Sequence, residues 1–108
     1  MSRVETRHAT VEVISWVNKF VGGDGSGSRQ YAEAFAPRET IRELLKRFSA
    51  RHPELDAALW DRSKNDLGEH IEVLVNDAVL GITHTLDSEV EPGDRIALVG
   101  PYMGGSGG

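Results

Sequence analysis

The stretch that decides the fold is Thr40-Ile41-Arg42-Glu43-Leu44-Leu45-Lys46-Arg47-Phe48. Thr40 and Glu43 have the spacing of a capping box, in which the threonine hydroxyl accepts from the glutamate amide and the glutamate side chain reaches back. Apolar residues follow at i, i+3, i+4 and i+7, forming one stripe made of Ile41, Leu44, Leu45 and Phe48. The stretch therefore predicts an amphipathic helix, which ends near His52 because Pro53 disfavours helix before it.

Two strands are predicted on the N-terminal side of this helix. Residues 1–8 are polar and predict a loose leader, whereas residues 9–21 are rich in β-branched residues. Apolar side chains fall on both parities of 9–21, which favours a central strand. Residues 22–28 contain only Gly, Ser and Asp and predict a long flexible loop, so that residues 29–35 return as the second strand of a hairpin.

Three more strands are predicted on the C-terminal side. After a short helical turn opened by Pro53 and a polar loop over 61–68, residues 70–76 alternate clearly between apolar and polar. Residues 79–86 predict a short strand interrupted by Gly81, and residues 94–100 predict the last strand, entered through a Pro-Gly turn of type II.

The order of these elements predicts an α+β fold. One helix stripe needs one sheet face to cover it. A main helix between two hairpins, packed on one face of a mixed sheet, is the β-grasp arrangement of ubiquitin-like proteins. The predicted organisation is a flexible leader at 1–8, a β-grasp domain at 9–101 and a flexible tail at 102–108.

Composition excludes several classes of function. The chain has 108 residues and a net charge of −5, so it fits one domain and lacks the basic face that nucleic acid requires. No apolar run reaches the length of a membrane span and no signal peptide is recognisable, so we expect a cytoplasmic protein. There is no cysteine, the four histidines show no metal-ligand spacing, and no catalytic or cofactor-binding motif is found. We therefore expect no catalytic residue, no metal and no bound cofactor.

The last eight residues are Pro101-Tyr102-Met103-Gly104-Gly105-Ser106-Gly107-Gly108. Glycine loses the most backbone entropy on ordering, and the stretch has little apolar area to bury. It predicts a flexible arm of at most about 26–29 Å that carries a carboxylate into another protein's active site. A frayed terminus or a Gly/Ser spacer is the alternative interpretation.

Three features together resemble the MoaD/ThiS family of ubiquitin-like sulfur carriers. They are Val75-Asn76-Asp77 after an alternating strand, the stretch Pro92-Gly93-Asp94-Arg95-Ile96-Ala97-Leu98-Val99-Gly100-Pro101, and a terminal Gly-Gly. The helix opening at Thr40 is also similar, and the resemblance covers roughly residues 9–108.

The resemblance implies a carrier rather than an enzyme. An adenylating enzyme of the ubiquitin-activating type (MoeB/ThiF-like) would use ATP to activate the terminal glycine, and a sulfur donor would convert the adenylate to a thiocarboxylate. A sulfur-accepting biosynthetic enzyme would then receive the sulfur for molybdopterin, thiamine or cysteine. Two alternatives stay open: a protein modifier conjugated to target-protein lysines through the same glycine, and a plain β-grasp interaction domain with an inert tail.

The activated residue has more than one candidate. Spacing from Asp94 matches Gly104-Gly105 to the family diglycine, yet Ser106-Gly107-Gly108 extend beyond that pair. Either Gly108 is activated, a peptidase trims the chain after Gly105, or the last residues were added to the natural chain. We favour Gly108, with Gly107 before it, because the chain still ends in Gly-Gly.

A partner-binding surface is predicted on the sheet face away from the helix. Leu74, Ala97 and Val99 have the parity opposite to that of the inward-facing strand residues, so they predict an exposed apolar patch. Tyr102 and Met103 are expected to make an anchoring contact at the base of the tail.

Overall fold

A five-stranded mixed sheet forms the centre of the molecule. The computed structural model describes residues 7–61, 63, 64 and 66–100. Its strands are β1 (His8–Ile14), β2 (Ser28–Ala34), β3 (Trp60–Asp61), β4 (Asp66–Leu67), β5 (Glu72–Val75), β6 (Ala78–Val79) and β7 (Arg95–Val99). Its helices are a 3₁₀ helix (Ser15–Val21), α1 (Ile41–Ser49) and α2 (Pro53–Leu59). The sheet has the order β2-β1-β7-β5-β6, and β1 and β7 run parallel at its centre. This confirms the α+β, β-grasp prediction.

The two central strands carry the core. Val11 pairs with Ile96 and Val13 with Leu98 across the parallel ladder, and all four side chains are fully buried. The apolar stripe of α1 is equally buried and belongs to the same core cluster. Because residues alternate in direction along a strand, the intervening residues of β1, β7 and β5 point to the opposite face, which we call the outer face.

Helix α1 begins at the predicted capping box. The Glu43 amide donates to Thr40 Oγ1 at 3.2 Å, and the Thr40 amide donates to Glu43 Oε1 at 3.0 Å. Helix α2 starts at Pro53 as predicted and buries Leu55 and Leu59. Two donors near the start of α1 are thus satisfied within the helix opening itself.

The strand predicted over 9–21 is wrong in its second half. The chain leaves the sheet after Ile14, where Ser15 adopts a left-handed φ of 58° and its amide donates to the Gly27 carbonyl at 2.6 Å. The 3₁₀ helix that follows places Val17 and Asn18 inside the protein. β-Branched composition favoured a strand here, but the turn at Ser15 and the contact with the Gly/Ser loop override it.

The Gly/Ser loop is tethered rather than free. Asn18 is buried, its Nδ2 donates to the Ser26 carbonyl at 2.8 Å, and its Oδ1 accepts from the Gly25 amide at 2.7 Å. Ser26 also donates from its amide and hydroxyl to Asp24, and these hydrogen bonds lower the pKa of that carboxyl.

Two further predictions need correction. Of the strand predicted over 79–86 only Val79 is present, as the second residue of β6, because Gly81 takes a φ of 101° and the chain turns away from the sheet. The stretch 61–68 is not a loop throughout, because Asp61 of β3 and Asp66–Leu67 of β4 belong to a short antiparallel pair. The alternating strand predicted over 70–76 is present as β5, with Ile71 buried just before it.

The folded domain also starts before Ala9, the boundary that the sequence predicts. His8 pairs with Ala34 in the first ladder, and the Arg7 carbonyl accepts from the Phe35 amide at 3.0 Å. Among the described residues, no helix is long and apolar enough to cross a bilayer.

Candidate partner-binding site

The two strand-end motifs that carry the family resemblance are hydrogen-bonded to each other. Asn76 Nδ2 donates to Asp94 Oδ1 at 2.9 Å, and Asn76 Oδ1 accepts from the Arg95 amide at 2.9 Å. Asn76 and Asp77 both have positive φ, as a two-residue hairpin turn of type I′ requires. The Asn-Asp turn after β5 is therefore fixed directly to the start of β7.

Asp94 also closes the turn that precedes β7. Its Oδ2 accepts from the Glu91 amide at 2.9 Å, and its own amide donates to the Glu91 carbonyl at 3.0 Å. Gly93 has a φ of 85°, which fits the third position of the predicted type II turn. The side chain of Asp94 is buried, so both of its oxygens are used where water is scarce.

Replacing Asp94 by alanine is expected to lower the free energy of unfolding by about 1–3 kcal/mol, because it removes the charged acceptor of two partly buried hydrogen bonds, from Asn76 Nδ2 and the Glu91 amide. The matched control is Asp87→Ala, since the Asp87 side chain is 75% exposed and pairs with Arg42 at the surface. Surface pairs contribute about 0–1 kcal/mol. Urea denaturation measures both variants, and equal losses in the two would contradict the structural role of Asp94.

The predicted partner-binding residues lie together on the outer face. Leu74 pairs with Ala97, Glu72 with Val99, and Leu74 also pairs with Val79 on the neighbouring strand β6. Leu74 and Val99 are half-buried and Val79 is 38% exposed. Extending the parallel register by one residue places Ile14 beside Val99. We call Ile14, Leu74, Val79, Ala97 and Val99 the outer patch.

Ala97 contributes less surface than predicted. It is buried, because its short side chain stands between Glu12 on β1 and Leu74 on β5, both in direct register with it. Val79 and Ile14 are not among the predicted partner-binding residues. The pairing of β6 with β5 places Val79 beside Leu74, and the register of β1 with β7 places Ile14 beside Val99. Neither neighbour can be predicted from strand parity alone.

Charged side chains border the outer patch on the β1 side. Arg95 contacts Asp77 through its guanidinium, and its Nε lies 4.0 Å from Glu12 Oε1. Gln30 on β2 donates to Glu12 at 3.4 Å. The outer patch is therefore an apolar area on the outer face, and Glu12, Arg95 and Glu72 lie around it on the same face, which is the pattern of an interface core with a polar rim.

The tail candidates lie outside the described residues. Tyr102, Met103, Gly104, Gly105, Gly107 and Gly108 all follow Gly100, the last residue described. The strand that leads to them is well defined: β7 is hydrogen-bonded to β1 on one side and to β5 on the other, and it ends at Val99. The glycine-rich stretch therefore begins directly after the central strand.

Two clefts elsewhere have no counterpart in the sequence predictions. One of about 310 Å³ lies between α2 and the segment 68–70, and one of about 320 Å³ lies between Arg42, Leu67 and Leu86. Within the part of the chain that the structure describes, no group of three or more His, Cys, Asp or Glu residues could hold a metal ion.

Comparison with known proteins identifies the family. Residues 26–105 match the model of the ThiS family. A search of curated protein sequences found no match.

Several solved structures share the fold. A chain of the Amycolatopsis orientalis BexX/CysO complex is 27% identical, with a TM-score of 0.67 over 90% of this chain and 99% of that chain. Small archaeal modifier protein 1 of Haloferax volcanii is 21% identical, with a TM-score of 0.67 over 88% of this chain and 98% of that one. Urm1 of Trypanosoma brucei is 20% identical, with a TM-score of 0.67 over 95% and 100% of the two chains. With a family match that spans well over half of its residues, this chain belongs to the ThiS family of small ubiquitin-like sulfur carrier and modifier proteins.

Proposed function

We propose that this protein is a sulfur carrier whose tail glycine is adenylated by a partner enzyme and converted to a thiocarboxylate. The observation that carries the proposal is the family match over residues 26–105, which includes the Gly104-Gly105 pair just beyond β7. The thiocarboxylate would supply sulfur for a biosynthetic product such as molybdopterin, thiamine or cysteine.

The chemistry assigns the difficult step to the partner. A carboxylate is a poor acyl donor, because its oxygen is a poor leaving group. In the proposed step the glycine carboxylate attacks the α-phosphate of ATP and pyrophosphate leaves. Sulfide-level sulfur from the donor, as HS⁻, then attacks the acyl carbon, the C–S bond forms, AMP leaves with its bonding electrons, and loss of the proton gives the thiocarboxylate. This chain supplies the carboxylate, and the partner's site supplies ATP and the sulfur donor.

The outer patch is the proposed docking site for the adenylating enzyme. It is apolar, has a polar rim, and ends at Val99, one residue before the chain leaves the described fold. Docking through this patch would bring the tail to the enzyme together with the body and raise its effective concentration at the ATP site. The neighbour from Amycolatopsis orientalis is itself part of a complex, with BexX, which supports a partner-dependent role.

The glycine that is activated stays a proposal as well. Gly108 is our first candidate, and Gly105 after trimming by a peptidase is the second. The family match ends at Gly105, which supports the second candidate more than the spacing from Asp94 did alone.

Intact-protein mass spectrometry of the chain expressed in its own cells tests the proposal. We expect a fraction whose mass is raised by the difference between one sulfur and one oxygen atom, and fragmentation should place that change on the C-terminal glycine. A chain cut after Met103 is the control and should show no such fraction.

The other outcomes favour other functions. Isopeptide-linked products would indicate a protein modifier, the role after which small archaeal modifier protein 1 is named. A chain that carries neither modification, although its partner genes are expressed, would contradict both and favour an inert β-grasp interaction domain.

A further inference from the structure

Trp16 lies directly against Gly100 at the end of the central strand. A methyl group on Gly100 would stand 2.2 Å from Trp16 Nε1 and 2.3 Å from Cε2 and Cζ2. Gly100 is not among the glycines with positive φ, so its backbone does not by itself demand glycine. A side chain at position 100 would therefore require the indole to move, because the ring already occupies that space.

The 3₁₀ helix that contains Trp16 holds the indole in position. Ser15 turns the chain away from β1, and Val17 next to Trp16 is fully buried, so the backbone at Trp16 is anchored in the core. Phe20 packs edge-on against the Trp16 ring, with 5.9 Å between centroids and an interplanar angle of 76°. Trp16 is nevertheless 39% exposed and is not a member of the core cluster. A large aromatic side chain thus stands at the exit of the tail without being needed to fill the core.

The geometry fixes which side of the chain the indole closes. Continuing the alternation of β7 by one residue gives position 100 the parity of Ile96 and Leu98, whose side chains point toward the helices. The indole therefore occupies the helix side of Gly100. The side left open is that of Val99 and the outer patch.

We propose that Trp16 is a positioning residue for the C-terminal tail. By closing the helix side of Gly100, it restricts a residue that would otherwise be the most permissive in the segment, and it directs the chain away from the helices. This inference rests on the proposed function, since a restricted direction matters only if the tail must enter a partner's site while the outer patch is docked. Restricting the exit lowers the ordering entropy that docking would otherwise cost.

Kinetics with the cognate adenylating enzyme give the first test. For Trp16→Ala in the full chain we expect the KM to rise about 5–10-fold while kcat stays within about twofold, as when binding energy is lost uniformly. Trp16→Phe, which keeps a ring at the same place, should recover most of the loss. An unchanged KM in Trp16→Ala would overturn the proposal.

A chain cut after Met103 separates positioning from direct contact with the enzyme. Every described strand and helix ends at or before Val99, so the cut chain keeps the whole fold. As a competitive inhibitor, the cut chain should bind equally well with and without the Trp16→Ala substitution, because no tail remains to be positioned. An equal loss of affinity in the cut chain and the full chain would show that the indole contacts the enzyme itself, and would overturn the positioning role.

A test without any enzyme keeps this inference distinct from the proposed function. Gly100→Ala should lower the Tm through the clash with the indole, and the double variant Gly100→Ala/Trp16→Ala should recover most of that loss. In the free protein, Trp16→Ala should lower the NMR order parameters of Gly100 and Tyr102 by at least about 0.1, a change readily resolved on a scale where rigid backbone is near 0.85. Unchanged order parameters would refute the positioning role even if adenylation occurs. Changed order parameters with no adenylation of the wild-type chain would refute only the proposed function.

Discussion

Adding one alanine after Gly108 is expected to lower ATP–pyrophosphate exchange by at least about 100-fold, since a misplacement of even 1 Å can cost that much. One extra residue moves the terminal carboxylate by about 3.3–3.6 Å along an extended chain. It also places a Cβ at the tip, where this chain has only glycine. The adenylation step needs the carboxylate at the α-phosphate, so a longer tail presents an amide there instead. The assay is pyrophosphate exchange with the cognate adenylating enzyme.

Two controls test whether the loss of exchange comes from the added C-terminal residue. Ser106→Ala changes the tail without changing its length or its terminal glycines, and exchange should stay within about twofold, as for most surface substitutions. Intact mass measured before and after the assay shows whether a peptidase has removed the added residue. Near-native exchange by an extended chain of intact mass would contradict activation at Gly108.

A chain that ends at Gly105 decides between the two candidate glycines. If Gly108 is the activated residue, the shorter chain should be a poor substrate, because its carboxylate falls three residues short. If the shorter chain is active and the chain ending at Gly108 is not, then Gly105 is activated after trimming and the assignment to Gly108 is wrong.

Elements with a local signal were predictable from the sequence. The capping box of α1 involves only Thr40 and Glu43, and its apolar stripe follows the helical period, so both could be read directly and both are present. The Pro92-Gly93 turn, the alternation of β5 and the strand β7 after the turn are equally local, and they too are confirmed.

Elements fixed by distant partners were not predictable. The 3₁₀ helix at 15–21 depends on contacts with the Gly/Ser loop, through Ser15 and the buried Asn18, in a stretch whose composition favours a strand. The segment after Val79 leaves the sheet at Gly81, which the sequence marks as an interruption without showing that pairing ends there.

In the candidate site, too, some features can be predicted from the sequence and others depend on residues that are distant in the chain. Parity placed Leu74, Ala97 and Val99 on one face, but the burial of Ala97 follows from its neighbours Glu12 and Leu74, which only the strand register supplies. The contact of Trp16 with Gly100 has no local signal in the sequence, because the two residues are 84 positions apart in the chain.

Replacing Leu74 by glutamate is expected to weaken binding to the adenylating enzyme by about 30-fold, which corresponds to about 2 kcal/mol, the size of an interface hot spot. Leu74 lies at the middle of the outer patch, paired with Ala97 on one side and Val79 on the other. A carboxylate there would have to lose its water on docking without a designated partner, and that desolvation is costly. Glu72 on the same strand and face adds a like charge nearby.

The fold should tolerate this change, because Leu74 is half-buried and lies outside the core cluster. We expect a loss of at most about 1 kcal/mol, or about 4–8 °C in Tm for a domain of this size. Ala32→Glu is the matched control, since Ala32 is exposed on the same face of β2, beside Thr10 on β1 and away from the outer patch. It introduces the same charge, and the affinity should change by less than about threefold, as for a surface substitution of about ±0.5 kcal/mol.

The comparison of the two glutamate variants decides what the outer patch does. Affinity is measured by calorimetry or by the KM for adenylation, and stability by thermal denaturation of the same samples. Loss of affinity in Leu74→Glu alone, with the Tm nearly kept, supports docking through the outer patch. An equal loss in both variants would indicate a general effect of charge, and a large loss of stability would assign Leu74 to the core. Unchanged affinity in Leu74→Glu would move the docking site away from this face of the sheet, because a buried, unpaired carboxylate at the centre of an interface cannot be neutral in its effect on binding.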